Sequence, residues 1–145
     1  MILVTIIHGP NLNLLGKREP EIYGDMAFEP FLEGLRTENS DIEILYEQSN
    51  VEGELVNIIQ KHGFKSDFII LNAAAYTHTS IAIADAVNAV DSPVVAIHLS
   101  NIYQREQERH TDLVASYSKA CLFGFGLEGY RMAISYIRHD LKIED

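Results

Sequence analysis

The side chains best suited to chemistry follow the apolar runs of this sequence, at the point where each run ends. They are amides, hydroxyls and imidazoles: His8, Asn11 and Asn13 after the first run, Gln48, Ser49 and Asn50 after the second, Asn72, Tyr76, Thr77, His78 and Thr79 after the third, and His98, Ser100 and Asn101 after the fourth. One asparagine after a strand is commonly a turn residue. Four such groups at corresponding positions favour a site for a polar small molecule over turn chemistry alone.

Two arginines lie close to these polar groups in the sequence. Arg105 and Arg109 are four residues apart after the fourth run, so on a helical turn they would face the same way. In a chain of net charge −10, guanidinium groups beside a polar pocket indicate a bound carboxylate or phosphate. Alternatively, Glu106 and Glu108 pair with them on a solvated surface. That alternative stays open for Arg105, whereas for Arg109 we favour the binding role.

His98 and Tyr23 are the best candidates for proton transfer. A tyrosine with the usual pKa of about 10 needs about 4 kcal/mol of phenolate stabilisation to act as a base at pH 7. The guanidinium of Arg18, five residues away in the loop after the first run, could provide it. Taken alone, Tyr23 is more simply interpreted as a loop aromatic that packs on the domain.

The sequence lacks the motifs of several other kinds of catalytic or binding site. The segment "HGPNLNLLG" is neither a Walker loop nor a GxGxxG fingerprint, and no GxSxG nucleophile elbow occurs. None of the six histidines falls in an HxxxH or HExxH pair, so we expect no metal and no cofactor. Acid–base chemistry on a polar, anionic small molecule remains.

The elements that must position these groups are short apolar runs that alternate with segments of helical spacing. The runs are Ile2–Ile7, Ile42–Tyr46, Phe68–Leu71, Val94–Leu99 and Ala120–Phe125, and the apolar stripes extend through Phe28–Leu35, Leu55–Ile59, Ile81–Val90 and Tyr130–Ile137. The alternation predicts an α/β fold: a flavodoxin-like, doubly wound five-stranded parallel sheet in a three-layer sandwich. Such sheets bind ligands beyond the carboxyl ends of the strands, where the strand order reverses.

The bulk properties fit one domain over residues 1–145, and the acid–base candidates above predict that it is a catalytic domain. The acidic balance argues against a nucleic-acid or anionic-membrane partner. No apolar run approaches the roughly 20 residues needed to cross a bilayer, and the N-terminus is interpreted as a strand rather than a signal peptide. Cys121 is the only cysteine, and its apolar surroundings in the sequence favour a buried structural thiol. We therefore expect a cytoplasmic protein without an intrachain disulfide.

Four segments, spread from residue 9 to residue 110, carry a resemblance to a known enzyme family. They are "GPNLNLLGKREPEIYG", "QSNVEGELV", "AYTHTSIAIADA" and "HLSNIYQREQERH", and "GFGLEGY" follows at the expected place. On these segments the chain resembles the type II 3-dehydroquinate dehydratases, lyases of the shikimate and quinate pathways. The resemblance implies an anti elimination of water through an enolate, with no cofactor.

The resemblance also implies roles for individual residues. Tyr23 would take the C2 proton, Arg18 would lower the pKa of Tyr23, Asn13 would help to stabilise the enolate oxygen, and His98 would protonate the departing C1 hydroxyl. The substrate's carboxylate and hydroxyls would be held by Asn72, His78, Leu99, Ser100 and Arg109. Asp85 would reach the site of a neighbouring subunit, because such enzymes are typically dodecamers made of trimers. Gly16 and Gly24 would be pivots of a loop that closes over the substrate.

The sequence departs from the family pattern at several positions. Val51 stands where the family usually has histidine, Ala73-Ala74 where it has Pro-Gly, Ala84 where it has arginine, and Ala96 where it has glutamate. A carboxylate two residues before His98 would orient the imidazole, so its loss predicts a weaker acid step. Because the proposed acid and base remain, we expect an active enzyme that is slower or has an altered pH profile.

Two alternatives are set against a working dehydratase. A non-catalytic homologue that kept the pocket as a binding or assembly protein would account for Val51, Ala84 and Ala96. A flavin-binding or signalling domain would need a phosphate-cradling or acidic first loop, which "HGPNLN" does not provide. The sequence does not distinguish a biosynthetic role from quinate breakdown.

Overall fold

A five-stranded parallel sheet is the central element of the computed structural model, which describes residues 1–17, 21 and 26–144. The strands are β1 (Ile2–His8), β2 (Ile42–Gln48), β3 (Phe68–Asn72), β4 (Val94–His98) and β5 (Ala120–Phe123). Their order across the sheet is β2-β1-β3-β4-β5, and all four neighbouring pairs are parallel. The predicted doubly wound α/β fold is therefore confirmed.

Four α-helices of the described residues cover the two faces of the sheet. They are α1 (Phe28–Glu38), α2 (Glu52–His62), α3 (Ile81–Ala89) and α4 (Glu128–Leu141). The buried stripes of α1 and α4 join one apolar cluster, and those of α2 and α3 join a second cluster on the opposite face. This gives the three layers that the sequence predicts.

Side chains along each strand alternate between the two apolar clusters, as the pleat of a β-strand requires. In β4, Val95 and Ile97 pack with the cluster of α1 and α4, whereas Val94 and Ala96 pack with the cluster of α2 and α3. His98 continues the second set, so its ring leaves the strand on the α2 and α3 side. Ala96 and His98 therefore share one face of β4.

Two sequence predictions about burial are wrong. Ile81, placed in the apolar stripe of α3, is the first residue of that helix and is 68% exposed. Cys121, expected to be a buried structural thiol, is exposed because β5 is the outer strand of the sheet and, among the described residues, pairs with β4 alone. Within the part of the chain that the structure describes, no helix is long and apolar enough to cross a membrane.

The packing of the apolar cluster of α2 and α3 can be tested at Gly63, the residue directly after α2. A Cβ at this position would overlap the Val90 side chain and lie 2.6 Å from the Ile59 carbonyl oxygen. We expect Gly63→Ala to lower the free energy of unfolding by about 1–3 kcal/mol, measured by urea denaturation.

Gly34 provides the matched control for this substitution. It lies within α1 with open space around the position of a Cβ, so Gly34→Ala is expected to raise the free energy of unfolding by about 0.5–1 kcal/mol. Equal effects of the two substitutions would contradict the close approach of Val90 to Gly63.

Candidate active site

A cleft opens at the carboxyl edge of the sheet, where the strand order reverses between β1 and β3. The register explains its position, because His8 at the end of β1 lies beside Asn72 at the end of β3, and Leu71 of β3 lies beside Ala96 of β4. The cleft is lined by Pro10, Asn11, Leu12, Asn72, Ala74, Ala75, His78, His98, Leu99, Ser100, Ile102, Arg105 and Arg109. Polar groups from three strand ends therefore face one space.

The structure brings together six of the predicted site residues. Those that line the cleft are Asn72, His78, His98, Leu99, Ser100 and Arg109. Asn13 is not among the lining residues; it lies exposed on a 3-10 turn, where its Oδ1 accepts a long hydrogen bond of 3.5 Å from Gln48. Asp85 is exposed on α3 and also outside the lining. Tyr23 and Arg18 lie outside the described residues.

His98 is nearly buried and contacts a carboxylate that the sequence analysis did not identify. Its Nε2 lies 3.0 Å from Oδ2 of Asp112. Burial alone would raise the pKa of Asp112, but hydrogen bonds from His98 and from the amides of Val114 and Ala115 outweigh it and hold that pKa below its usual range. Asp112 is thus ionised at neutral pH and accepts a hydrogen bond from Nε2–H of the His98 ring.

The ring of His78 stacks on that of His98, with centroids 5.9 Å apart and planes 19° apart. Nδ1 of His78 lies 2.7 Å from the carbonyl oxygen of Thr111, which can only accept, so Nδ1 carries the proton. Burial, together with the charges of His98 and Arg109, lowers the pKa of His78, although the bond to Thr111 opposes this. The neutral ring then offers Nε2 as an acceptor, which suits a ligand hydroxyl.

Both arginines of the cleft contact Glu106. Nε of Arg109 lies 2.6 Å from one carboxylate oxygen of Glu106, and Nε of Arg105 lies 3.9 Å from the other. Arg105 also donates to Oγ of Ser100 over 3.3 Å. The two interpretations of these arginines are therefore compatible, since both pair with a glutamate and both line the cleft. In the described residues, no three His, Cys, Asp or Glu side chains are grouped to hold a metal ion.

His8, which the sequence groups with the ligand-facing residues, is a core residue. It is fully buried, with Nε2 2.5 Å from the Tyr130 hydroxyl and Nδ1 3.1 Å from the Tyr46 hydroxyl. The Asn72 side chain lies near the Tyr130 hydroxyl and partly offsets the rise that burial causes in the pKa of Tyr130, and Oδ1 of Asn72 accepts from the amide of Ala74 over 3.1 Å. His8 therefore supports Asn72 through Tyr130 from behind the cleft.

Ala74, one of the residues that depart from the family pattern, has a left-handed backbone conformation. Its φ is +51°, a region where a Cβ costs about 1–2 kcal/mol and where glycine is free of that cost. Ala74 lines the cleft and donates its amide to Asn72. The chain thus adopts here, with alanine, a turn that glycine would form without strain.

Comparisons with known proteins converge on one family. The model of the family described as "Dehydroquinase class II" matches residues 2–138. A 3-dehydroquinate dehydratase of Clostridium botulinum is 45% identical over 142 residues, 97% of each chain, and one of Francisella philomiragia is 50% identical over 133 residues, 90% of each chain. The crystal structure of a type II dehydroquinase from Butyrivibrio crossotus superposes with a TM-score of 0.90 at 37% identity, covering 94% of this chain and 97% of the other.

The burial of His8 predicts a pH dependence of stability. Burial lowers the pKa of His8 from 6.5 to about 3, so between these values the unfolded chain binds a proton that the folded chain does not. The contribution of His8 to stability is complete above pH 6.5 and is lost as the pH falls toward 3, by up to about 1.4 kcal/mol per pH unit.

Urea denaturation at a series of pH values measures this dependence. We expect His8→Asn to flatten the fall of the unfolding free energy below pH 6.5, whatever its effect on stability at neutral pH. The matched control is His139→Asn, because His139 is exposed on α4. An unchanged slope in His8→Asn would contradict the neutral, buried state of His8.

Proposed function

The chain belongs to the class II dehydroquinase family, and from this premise we propose that it dehydrates 3-dehydroquinate to 3-dehydroshikimate. The sequence predictions of the family and of a hydro-lyase enzyme are confirmed. The observation that carries the specific proposal is the cleft itself, in which a carboxylate-bound imidazole, a second imidazole, an amide and a guanidinium face one space. These groups fit an anionic, polyhydroxylated ring.

Binding of the substrate is assigned to the walls of the cleft. Arg109 supplies positive charge, while the backbone amides of Leu99 and Ser100 would donate to the carboxylate of the substrate. Oδ1 of Asn72 is held by the amide of Ala74, and His78 is held by Thr111, so their polar atoms are already oriented for the ring hydroxyls. Orientation before binding lowers the entropic cost of holding the substrate.

The reaction proposed is an elimination in two proton transfers. Tyr23 removes the C2 proton with the help of Arg18, and the electron pair of the C–H bond forms an enolate, near which the resemblance places Asn13. The enolate then expels the C1 hydroxyl, which takes a proton from His98 and leaves as water. The roles of Tyr23, Arg18 and Asn13 rest on the family resemblance, whereas the position of His98 in the cleft also supports its role.

Assembly and cellular context are part of the proposal. Asp85 is exposed and outside the cleft of its own chain, which fits a contact with the site of a neighbouring subunit in a dodecamer of trimers. We place the enzyme in the cytoplasm, in the shikimate or the quinate pathway. The non-catalytic alternative is not favoured, because its main argument was the missing carboxylate at residue 96, and His98 does contact a carboxylate.

The proposed activity is tested by adding purified protein to 3-dehydroquinate and following the ultraviolet absorbance of the conjugated product. We expect the absorbance to rise and the rise to survive treatment with borohydride, because the proposed route forms no imine with a lysine. An absence of product, with substrate binding still detected by calorimetry, would overturn the activity and favour a binding protein. Inactivation by borohydride would overturn the enolate route.

Tyr23→Phe tests the assignment of the base. We expect turnover to be abolished while the affinity for substrate stays within about tenfold, or about 1.4 kcal/mol, because the ring remains and only the proton acceptor is lost. Steady-state kinetics and calorimetry measure the two quantities. Tyr117→Phe, which removes the hydroxyl of an exposed tyrosine outside the cleft, is the control. A near-normal kcat in Tyr23→Phe would remove this residue from the role of base.

A further inference from the structure

Asp112 and His98 form a nearly buried pair at the back of the cleft. Their side chains are 13% and 9% exposed, and the distance from Nε2 to Oδ2 is 3.0 Å. An ionised carboxylate only accepts hydrogen bonds, so Nε2 carries a proton whenever this contact is made. The other ring nitrogen, Nδ1, is then the one left to exchange a proton with a ligand.

Asp112 is itself held in one orientation by the chain that follows it. Its Oδ1 accepts from the amides of Val114 and Ala115 at 3.0 and 2.9 Å, directly before the 3-10 turn Ala115–Tyr117. With Oδ1 engaged in this way, Oδ2 points at His98. The carboxylate is therefore oriented before any ligand binds.

Both imidazoles of the cleft, His78 and His98, contact one short segment of the chain, residues 111–113. Thr111 accepts from His78 through its carbonyl oxygen, Asp112 binds His98, and the amide of Leu113 donates to the carbonyl oxygen of Thr77 over 2.9 Å. A shift of this segment would move both rings together. Its contacts with the turn that contains His78 oppose such a shift.

The strand that carries His98 offers no carboxylate of its own on that face. Ala96 is two residues before His98 on the same face of β4, and its methyl group is buried in the apolar cluster of α2 and α3. Asp112 approaches the ring from the segment between β4 and β5 instead. The orientation of His98 consequently depends on a contact between residues 14 positions apart in the chain.

We infer that Asp112 is the positioning residue of the acid step: it fixes the ring and the protonated nitrogen of His98 so that Nδ1 faces the substrate. This inference rests on the proposed function, in which His98 protonates the departing hydroxyl. Partners of this kind, which hold a functional histidine through its second nitrogen, are commonly worth about 10- to 100-fold in activity at metal sites, and we expect a similar magnitude here.

Asp112→Asn separates the positioning role from the structural role of this side chain. An amide has a single oxygen, which can cap the amides of Val114 and Ala115 but then presents its NH₂ group to the Nε2–H of His98. We expect kcat to fall about 10- to 100-fold with KM within about threefold, because the substrate-binding groups stay in place. Asp112→Ser serves as a second variant, since serine also caps a turn but is too short to reach His98.

Glu108→Gln is the matched control, because it makes the same change of charge at an exposed position in the same loop. It is expected to keep the kcat of the parent protein. A kcat within twofold of the parent in both folded Asp112 variants would overturn the inference.

The NMR signal of the His98 Nε2 proton provides a readout that is independent of turnover. A proton held between an imidazole and a buried carboxylate gives a slowly exchanging, low-field resonance, expected in the parent and in Glu108→Gln and lost in both Asp112 variants. If the parent shows this resonance but has no dehydratase activity, the proposed function fails while the contact stands. If the resonance persists in the Asp112 variants, the inference fails whatever the activity.

Discussion

The alignment of the parallel strands is the constraint on which the cleft depends. β1 pairs with β2 on one side and with β3 on the other, and β3 pairs with β4, so the carboxyl ends of these strands lie along one edge. Backbone hydrogen bonds between the strands thus bring the polar groups that follow them to that edge. The reversal of strand order between β1 and β3 then leaves the space in which a ligand can bind.

Buried polar networks hold the side chains at this edge in place. A continuous chain of side-chain contacts lies behind the cleft and runs through Tyr46, His8, Tyr130 and Asn72. Among the described residues, no buried side-chain nitrogen or oxygen lacks a hydrogen-bond partner. Because an unpaired buried polar group costs about 1–3 kcal/mol, networks of this kind restrict each member to the orientation that satisfies all of them. The orientation of the side chains at the site therefore depends on the buried polar groups of the core behind it.

The departures from the family pattern have local physical consequences. Ala74 adopts a left-handed turn that strains its backbone, yet its amide still holds Asn72. Ala96 fills apolar space beside α2 and α3, and the carboxylate that contacts His98 comes from Asp112. The imidazole of His98 therefore has a carboxylate partner although its own strand supplies none, because the segment between β4 and β5 brings Asp112 to the ring.

The sequence by itself determined the strands, the helices, the type of sheet, the family and six of the residues that line the cleft. These follow from apolar periodicity and from motifs, which are properties of neighbouring residues. Only the tertiary structure decided that His8 is a core residue, that Cys121 and Ile81 are exposed, and that Asp112 contacts His98. Burial and contacts between distant segments depend on how the layers pack. His98 and Asp112 are 14 residues apart, and no sequence pattern predicts a contact at that separation.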